Sequence, residues 1–313
     1  MNYDRQYLKS VGITTGIFAL PAITSGFSWL YLLAPFPLIF FPIYLGFNKG
    51  FKIVGHSILI SGVLALIFGS LATLIFSLSM LPVGFVLARS INRKETLERS
   101  ALQGAILMIA IWLFSGLLAS VISQQNIYAE VLKSIDNSLE AAYTAYSQSP
   151  EISADIQYEL QSLFTRIRSL IPQIFPGILI VSVISTIFIN MTLSNALLIR
   201  NNCPSWPHFT NWKLPDQLIW VTILGGVLQF IAVTGLKALG LNLLLVFGAL
   251  YFIQGLAVMT TFFGKWSVPK LVRILIIFFL VIQAYGFLLV ALLGVADTWG
   301  DFRKPKEPPK PEE

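Results

Sequence analysis

Residues 8–47 are almost continuously apolar, and this length constrains the chain more than any other feature. As one helix the stretch would be about 60 Å long at 1.5 Å per residue, about twice the ~30 Å hydrocarbon core of a bilayer. It therefore folds back, around Thr24-Ser25-Gly26, into two spans. Pro35, Pro37 and Pro42 crowd the second one and kink or partly unwind it. The same reasoning divides residues 53–88 at Gly69-Ser70, giving a tight hairpin of two more. Further runs at 101–122, 174–199, 218–236, 241–263 and 271–295 bring the expectation to nine spans, with eight as the alternative.

Composition agrees. The 313 residues are 56% hydrophobic and 12% charged, against roughly 45–50% and about 25% in soluble domains, which excludes a soluble enzyme. The net charge of +6 reflects Lys and Arg gathered in cytoplasmic loops. No basic run tracks phosphates, so nucleic acid is not a partner. One cysteine, Cys203, permits neither an internal disulfide nor a Cys cluster for a metal. Arg5 and Lys9 precede apolar sequence as in a signal peptide, but no cleavage site follows and the segment reads as retained.

The fold class expected is all-α, a polytopic transmembrane bundle with an extracytoplasmic helical hairpin. Residues 1–122 form an N-terminal membrane bundle of about five spans, 123–171 the hairpin, 172–296 a C-terminal bundle of about four, and 297–313 a charged, proline-rich tail that is extended and disordered. A cytoplasmic N-terminus places Arg5, Lys9, Lys49, Lys52, Arg89, Arg93, Lys94, Arg99, Arg200 and Lys213 inside and leaves Lys133, Arg166, Arg168 and Lys237 outside. The side of the tail depends on whether the span count is odd or even. In the hairpin, Ile127, Val131, Ile135 and Leu139 recur at helical spacing, as do Ile152, Ile156, Leu160, Phe164 and Ile167. Ser149 and Pro150 read as an N-cap and first helical position.

Inside the spans Asp, Glu, Lys and Arg are nearly absent, which argues against a proton relay. His56 reads as interfacial, and His208 has no metal partner at ligand spacing. The amides Gln103, Asn190, Asn195, Gln229, Asn242, Gln254 and Gln283 either bond singly to neighbouring helices or converge on a neutral polar pocket. Asn190, Asn242 and Gln254 are the candidate ligand contacts. Gly12 and Gly16 form a G-x-x-x-G pair suited to close helix packing, within the chain or against another subunit. The loop from Cys203 to Asp216 joins three prolines to Trp206 and Trp212. It reads either as an interfacial anchor with Asp216 capping the next helix, or as a rigid docking surface formed by Trp206, Trp212 and Asp216. A terminal motif, Asp297, Trp299, Asp301 and Arg303, closes the last span. A continuing helix would put both carboxylates on one face, offered to a cation or to Arg303, though Gly300 interrupts it. No nucleophile elbow, phosphate loop or HExxH motif occurs; neither an enzyme nor a cofactor or metal site is expected.

Three segments carry a resemblance: Trp212-Lys213-Leu214-Pro215-Asp216 with Trp220, then Tyr251-Phe252-Ile253-Gln254-Gly255-Leu256-Ala257, then Gly294 with Asp297-Thr298-Trp299 and Asp301-Phe302-Arg303. With these the chain resembles the YybS-like family of bacterial multi-pass membrane proteins, a family of unknown function. The resemblance implies residence in the bacterial cytoplasmic membrane. The first four spans are also similar in pattern to the substrate-binding S components of energy-coupling-factor transporters, which implies other membrane subunits or a coupling ATPase module as partners. The extra hairpin and C-terminal helices depart from that pattern. Two functions follow as expectations: a small-solute binding or transport component without its own ATPase, or a non-transporting scaffold or envelope-assembly partner.

Overall fold

The computed structural model describes residues 2–148 and 154–303. Ser149-Pro150 and the tail beyond Arg303 lie outside them. The described chain is all-helical, with no strand: α1 Asn2–Ile23, α2 Phe36–Leu45, α3 Phe47–Ile67, α4 Leu71–Ser79, α5 Leu81–Asn92, α6 Leu97–Ser123, α7 Ile127–Ser147, α8 Ala154–Arg200, α9 Leu218–Val227, α10 Thr234–Lys265, α11 Lys270–Ile282 and α12 Ala284–Gly300. A 3-10 helix, Ser25–Leu33, precedes α2.

Among the described residues, five helices are by length and composition able to cross a membrane, or up to seven if each of two bent pairs is one span. The count of nine is not confirmed, for two physical reasons. α1 carries Arg5, Gln6 and Lys9 in its first turns and is not among the five. α9 has 10 residues, about 15 Å of helix against a ~30 Å core. The run at 271–295 is also not a straight span: it turns by 106° between α11 and α12, where Gln283 adopts an extended backbone. The turns expected at Ser25 and Gly69 are present, and Gly69 takes the positive φ of +65° that favours glycine. The prolines act as expected on the second span. Its first half winds as the 3-10 helix, and a 50° bend separates it from α2.

The chain divides into two compact units. The first contains residues 1–168 and 182–207. Here α1 lies along α3, where Ser57 Oγ donates to the Val11 carbonyl (3.1 Å) and to its own helix at Ile53 (2.8 Å). Gly50 lets α3 approach the backbone of Pro42 in α2, and Gly84 lets α5 approach the Pro35 carbonyl, positions that a Cβ would fill. Most of α2 is buried as a result. The polar hairpin belongs to this unit. α7 starts at Asn126, whose side chain accepts from Ala129 N–H, and faces the first turns of α8 through a Tyr143–Phe164 edge contact of 5.4 Å. Arg168 ties the two arms by ion pairs to Asp136 (2.9 Å) and Glu140. The second arm does not stop at residue 171 but continues into one helix as far as Arg200.

The second unit contains residues 169–181 and 208 onward. Its centre is the crossing of α10 and α12. Gly255 sits against the Val290 backbone and Gly294 against the Tyr251 carbonyl, with no room for a Cβ at either. Phe252 and Phe287 stack at 4.5 Å beside them.

Candidate functional site

The α10–α12 crossing brings Gln254 and Asp297 together, and both side chains are fully buried. Gln254 Nε2 donates to Asp297 Oδ2 and to the Gly294 carbonyl, each at 3.1 Å. Its Oε1 accepts from the Leu214 backbone N–H at 3.0 Å. α12 ends at Gly300, and Asp301 turns the chain back with φ of +40°. That reversal returns Phe302 N–H to Asp297 Oδ1 (3.1 Å) and swings Arg303 onto Asp297 Oδ2 (2.6 Å). The other guanidinium nitrogen of Arg303 donates to the carbonyls of Thr210 (2.9 Å) and Trp212. Lys213 bridges Asp301 (2.9 Å) and Asp216 (3.4 Å).

The three segments that carry the family resemblance thus close into one clasp. Nothing in the sequence joined them, since Leu214 and Gln254 lie 40 residues apart and Gln254 and Asp297 another 43. The two carboxylates expected on one helix face part company at the Asp301 turn, Asp297 going to Arg303 and Asp301 to Lys213. A fully buried carboxylate is tolerated only when paired and hydrogen-bonded, and Asp297 meets both conditions. Lys213 was not singled out as a site residue. Hydrogen bonding to Asp301 raises its pKa above the usual lysine value, with burial opposing and Asp216 adding to the rise.

Other expected site residues are placed elsewhere. Trp299 is 69% exposed and takes no part in the clasp. Asp216 does not cap α9, where Gln217 holds that position without a side-chain bond. Trp206 is 3% exposed, inside the first unit, where Nε1 donates to Ser90 Oγ (3.2 Å) and Ser100 Oγ (3.1 Å). Trp212 is buried too, so neither indole supplies a docking surface. Gly12 has no atom within 4 Å of where a Cβ would stand, and Gly16 only its own helix neighbour Leu20. Close approach along α1 falls instead to Ser57.

Each of the three amides chosen for a pocket has hydrogen-bond partners of its own. Asn190 lies in the first unit, where its Nδ2 donates to the Leu32 carbonyl (2.5 Å) and to Thr186 (2.7 Å). Asn242 and Gln254 share α10 but stand 12 residues apart, about 18 Å of rise. Their partners do not overlap. Asn242 accepts from Gly177 N–H (2.5 Å) and donates to the carbonyls of Gln173 (2.7 Å) and Ala238 (2.6 Å). No cluster of three or more metal-ligating side chains occurs among the described residues.

The family model described as "Predicted membrane protein (DUF2232)" matches residues 12–298. No curated protein and no solved structure matches significantly. The match takes in both bundles and all of the clasp except its last turn, in agreement with the YybS-like resemblance. With its apolar helices, the chain is a bilayer-embedded member of the DUF2232 family of membrane proteins.

Proposed function

We propose that this protein is a non-catalytic membrane scaffold that presents its C-terminal tail at a fixed point to a protein partner. One observation carries the reading. Arg303, the last described residue, is anchored to Asp297 and to two loop carbonyls, and the tail from Lys304 onward, with four prolines among charges of both signs, follows that anchor in the chain. A buried ion pair is weak support for stability but a good device for specifying geometry. Every side-chain polar atom of Gln254 and Asp297 is engaged within the clasp, which leaves neither of them free to act on a substrate. In this reading the N-terminus is cytoplasmic, the polar hairpin lies on the opposite side of the bacterial cytoplasmic membrane, and the hairpin offers a second contact.

The test is photo-crosslinking in native membranes from a reactive residue placed at Lys306, in the full chain and in the Arg303→Met variant. A discrete crosslinked protein that weakens when the clasp is opened, at equal abundance of the chain, is the expected result. The absence of any product, or one indifferent to Arg303, would sink the scaffold. Recovery of paired ATPases with a coupling membrane subunit would move the reading to a solute-transport component.

A further inference from the structure

In the first unit, α8 carries two fully buried side chains, one turn apart, with hydrogen-bonding capacity left over. Asn190 and Ser194 on α8 are both fully buried, and neither Asn190 Oδ1 nor Ser194 Oγ has a partner. The Asn190 amide is pinned, because both carbonyls it meets, Leu32 and Thr186, require the Nδ2 side. Its Oδ1 direction is therefore fixed as an acceptor. Ser194, like Ser77 on α4, differs from four other buried hydroxyls among the described residues. Thr14, Ser57, Ser100 and Thr186 each donate back to the carbonyl four residues earlier, the usual resting place of a helical hydroxyl. Ser194 does not, so both its donor and its acceptor capacity are free. At i and i+4 the two side chains share a helix face about 6 Å apart, a gap that one small molecule bridges.

Depth and surroundings narrow the occupant. Asn190 is ten residues from the end of α8 at Arg200, about 15 Å along the axis and so about half-way through a ~30 Å core. It stands at the break between the 3-10 helix and α2, the kind of discontinuity at which membrane proteins bind solutes. The unmet groups are acceptors in excess of donors. Among the described residues, Asp297 of the second unit is the one fully buried carboxylate, and the first unit has none. A full cation would enter the site without a counter-charge.

We infer that Asn190 and Ser194 form a binding site for a small neutral hydrogen-bond donor, a water or the hydroxyl or amide N–H of a solute. This stands apart from the scaffold reading, which rests on the other unit.

Ser194→Ala gives a test by sign. Removing a buried hydroxyl that nothing engages is neutral or stabilising, whereas removing one that holds a donor destabilises. The full-length variant in lipid nanodiscs should melt about 2–4 °C below the parent; an equal or higher Tm overturns the site. Water-edited solid-state NMR of the parent, labelled with 13C-asparagine, separates the sources. Transfer from water to the Asn190 side-chain carbonyl identifies water as the donor. A lowered Tm without such transfer, with the difference abolished by exhaustive washing and restored by a small-molecule extract of the native membranes, identifies a solute.

Discussion

Replacing Arg303 by methionine keeps most of the side-chain volume and removes the charge that balances Asp297. Asp297 is 0% exposed and the Arg303 side chain 14%, so water cannot substitute for the lost partner at the carboxylate. Breaking one side of a buried ion pair costs about 3–5 kcal/mol, because the other charge stays behind uncompensated. At about 3 °C per kcal/mol that is a fall of roughly 10–15 °C in Tm. The carbonyls of Thr210 and Trp212 lose their donor as well. The double variant Asp297→Asn/Arg303→Met should recover part of the loss: no charge is left to compensate and the amide oxygen still accepts from Phe302 N–H, while the amide nitrogen takes the place of the oxygen that accepted from Gln254. Intrinsic tryptophan fluorescence of the nanodisc-reconstituted chain reads the melt. Unfolding of such a protein is irreversible, so the variants are compared at one scan rate. If the double variant melts as low as Arg303→Met, the penalty is not that of a buried charge and the clasp argument fails.

Gly294→Val should lower the Tm by the equivalent of about 1–3 kcal/mol or more, because its Cβ meets the Tyr251 carbonyl; Gly12→Val, with no neighbour within 4 Å, should leave the melt unchanged, and equal effects would refute the glycine crossing. Lys213→Gln tests the outer bridge. The folded lysine pKa is raised, so its stabilisation is complete below the ordinary lysine value and lost as pH rises through the higher folded one. Parent and variant should thus differ by a constant offset under about 1 kcal/mol at neutral pH, the side chain being 34% exposed, and converge only in strong alkali. For topology, a membrane-impermeant maleimide on intact cells should label Ser138→Cys in a Cys203→Ser background and should not label Cys203 in the parent chain; the reverse pattern inverts the orientation.

What was legible in the sequence is what depends on neighbours along the chain. Apolar runs mark helices, Gly69 and Ser25 mark turns, and Pro35 marks a break, because each acts through its own backbone within a few residues. The clasp was half legible: Asp297, Asp301, Arg303, Gln254 and Trp212 were each picked out, but their partners lie up to 93 residues away. Apolar surface that meets lipid reads the same as apolar surface that meets protein. Leu117 and Val121 of α6 are therefore as hydrophobic as Ile53 and Val83, yet exposed where those are buried. The same blindness made Gly12 and Gly16 look like a packing seam, while Gly50 and Gly84, which do admit a neighbouring backbone, stood in no motif.

The three amides have one thing in common: each serves backbone disturbed by a proline. In the 3-10 helix the Leu32 carbonyl would accept from residue 35, but that residue is proline and has no N–H, and Asn190 supplies the missing donor. In α8, around Pro176, the Gly177 N–H and the Gln173 carbonyl are the two ends of one helical rung, and the Asn242 amide bonds to both. At the loop, Leu214 precedes Pro215, which holds it out of helix, and Gln254 accepts its N–H. An unsatisfied backbone group costs several kcal/mol in hydrocarbon, more than the roughly 1 kcal/mol gained by bonding an amide to a neighbouring helix. A span amide is therefore drawn first to the nearest broken rung. For a chain with 16 prolines, the amides that point to a ligand are those with an atom left over once the backbone has been served. Of the three, Asn190 alone retains one in an unpartnered Oδ1.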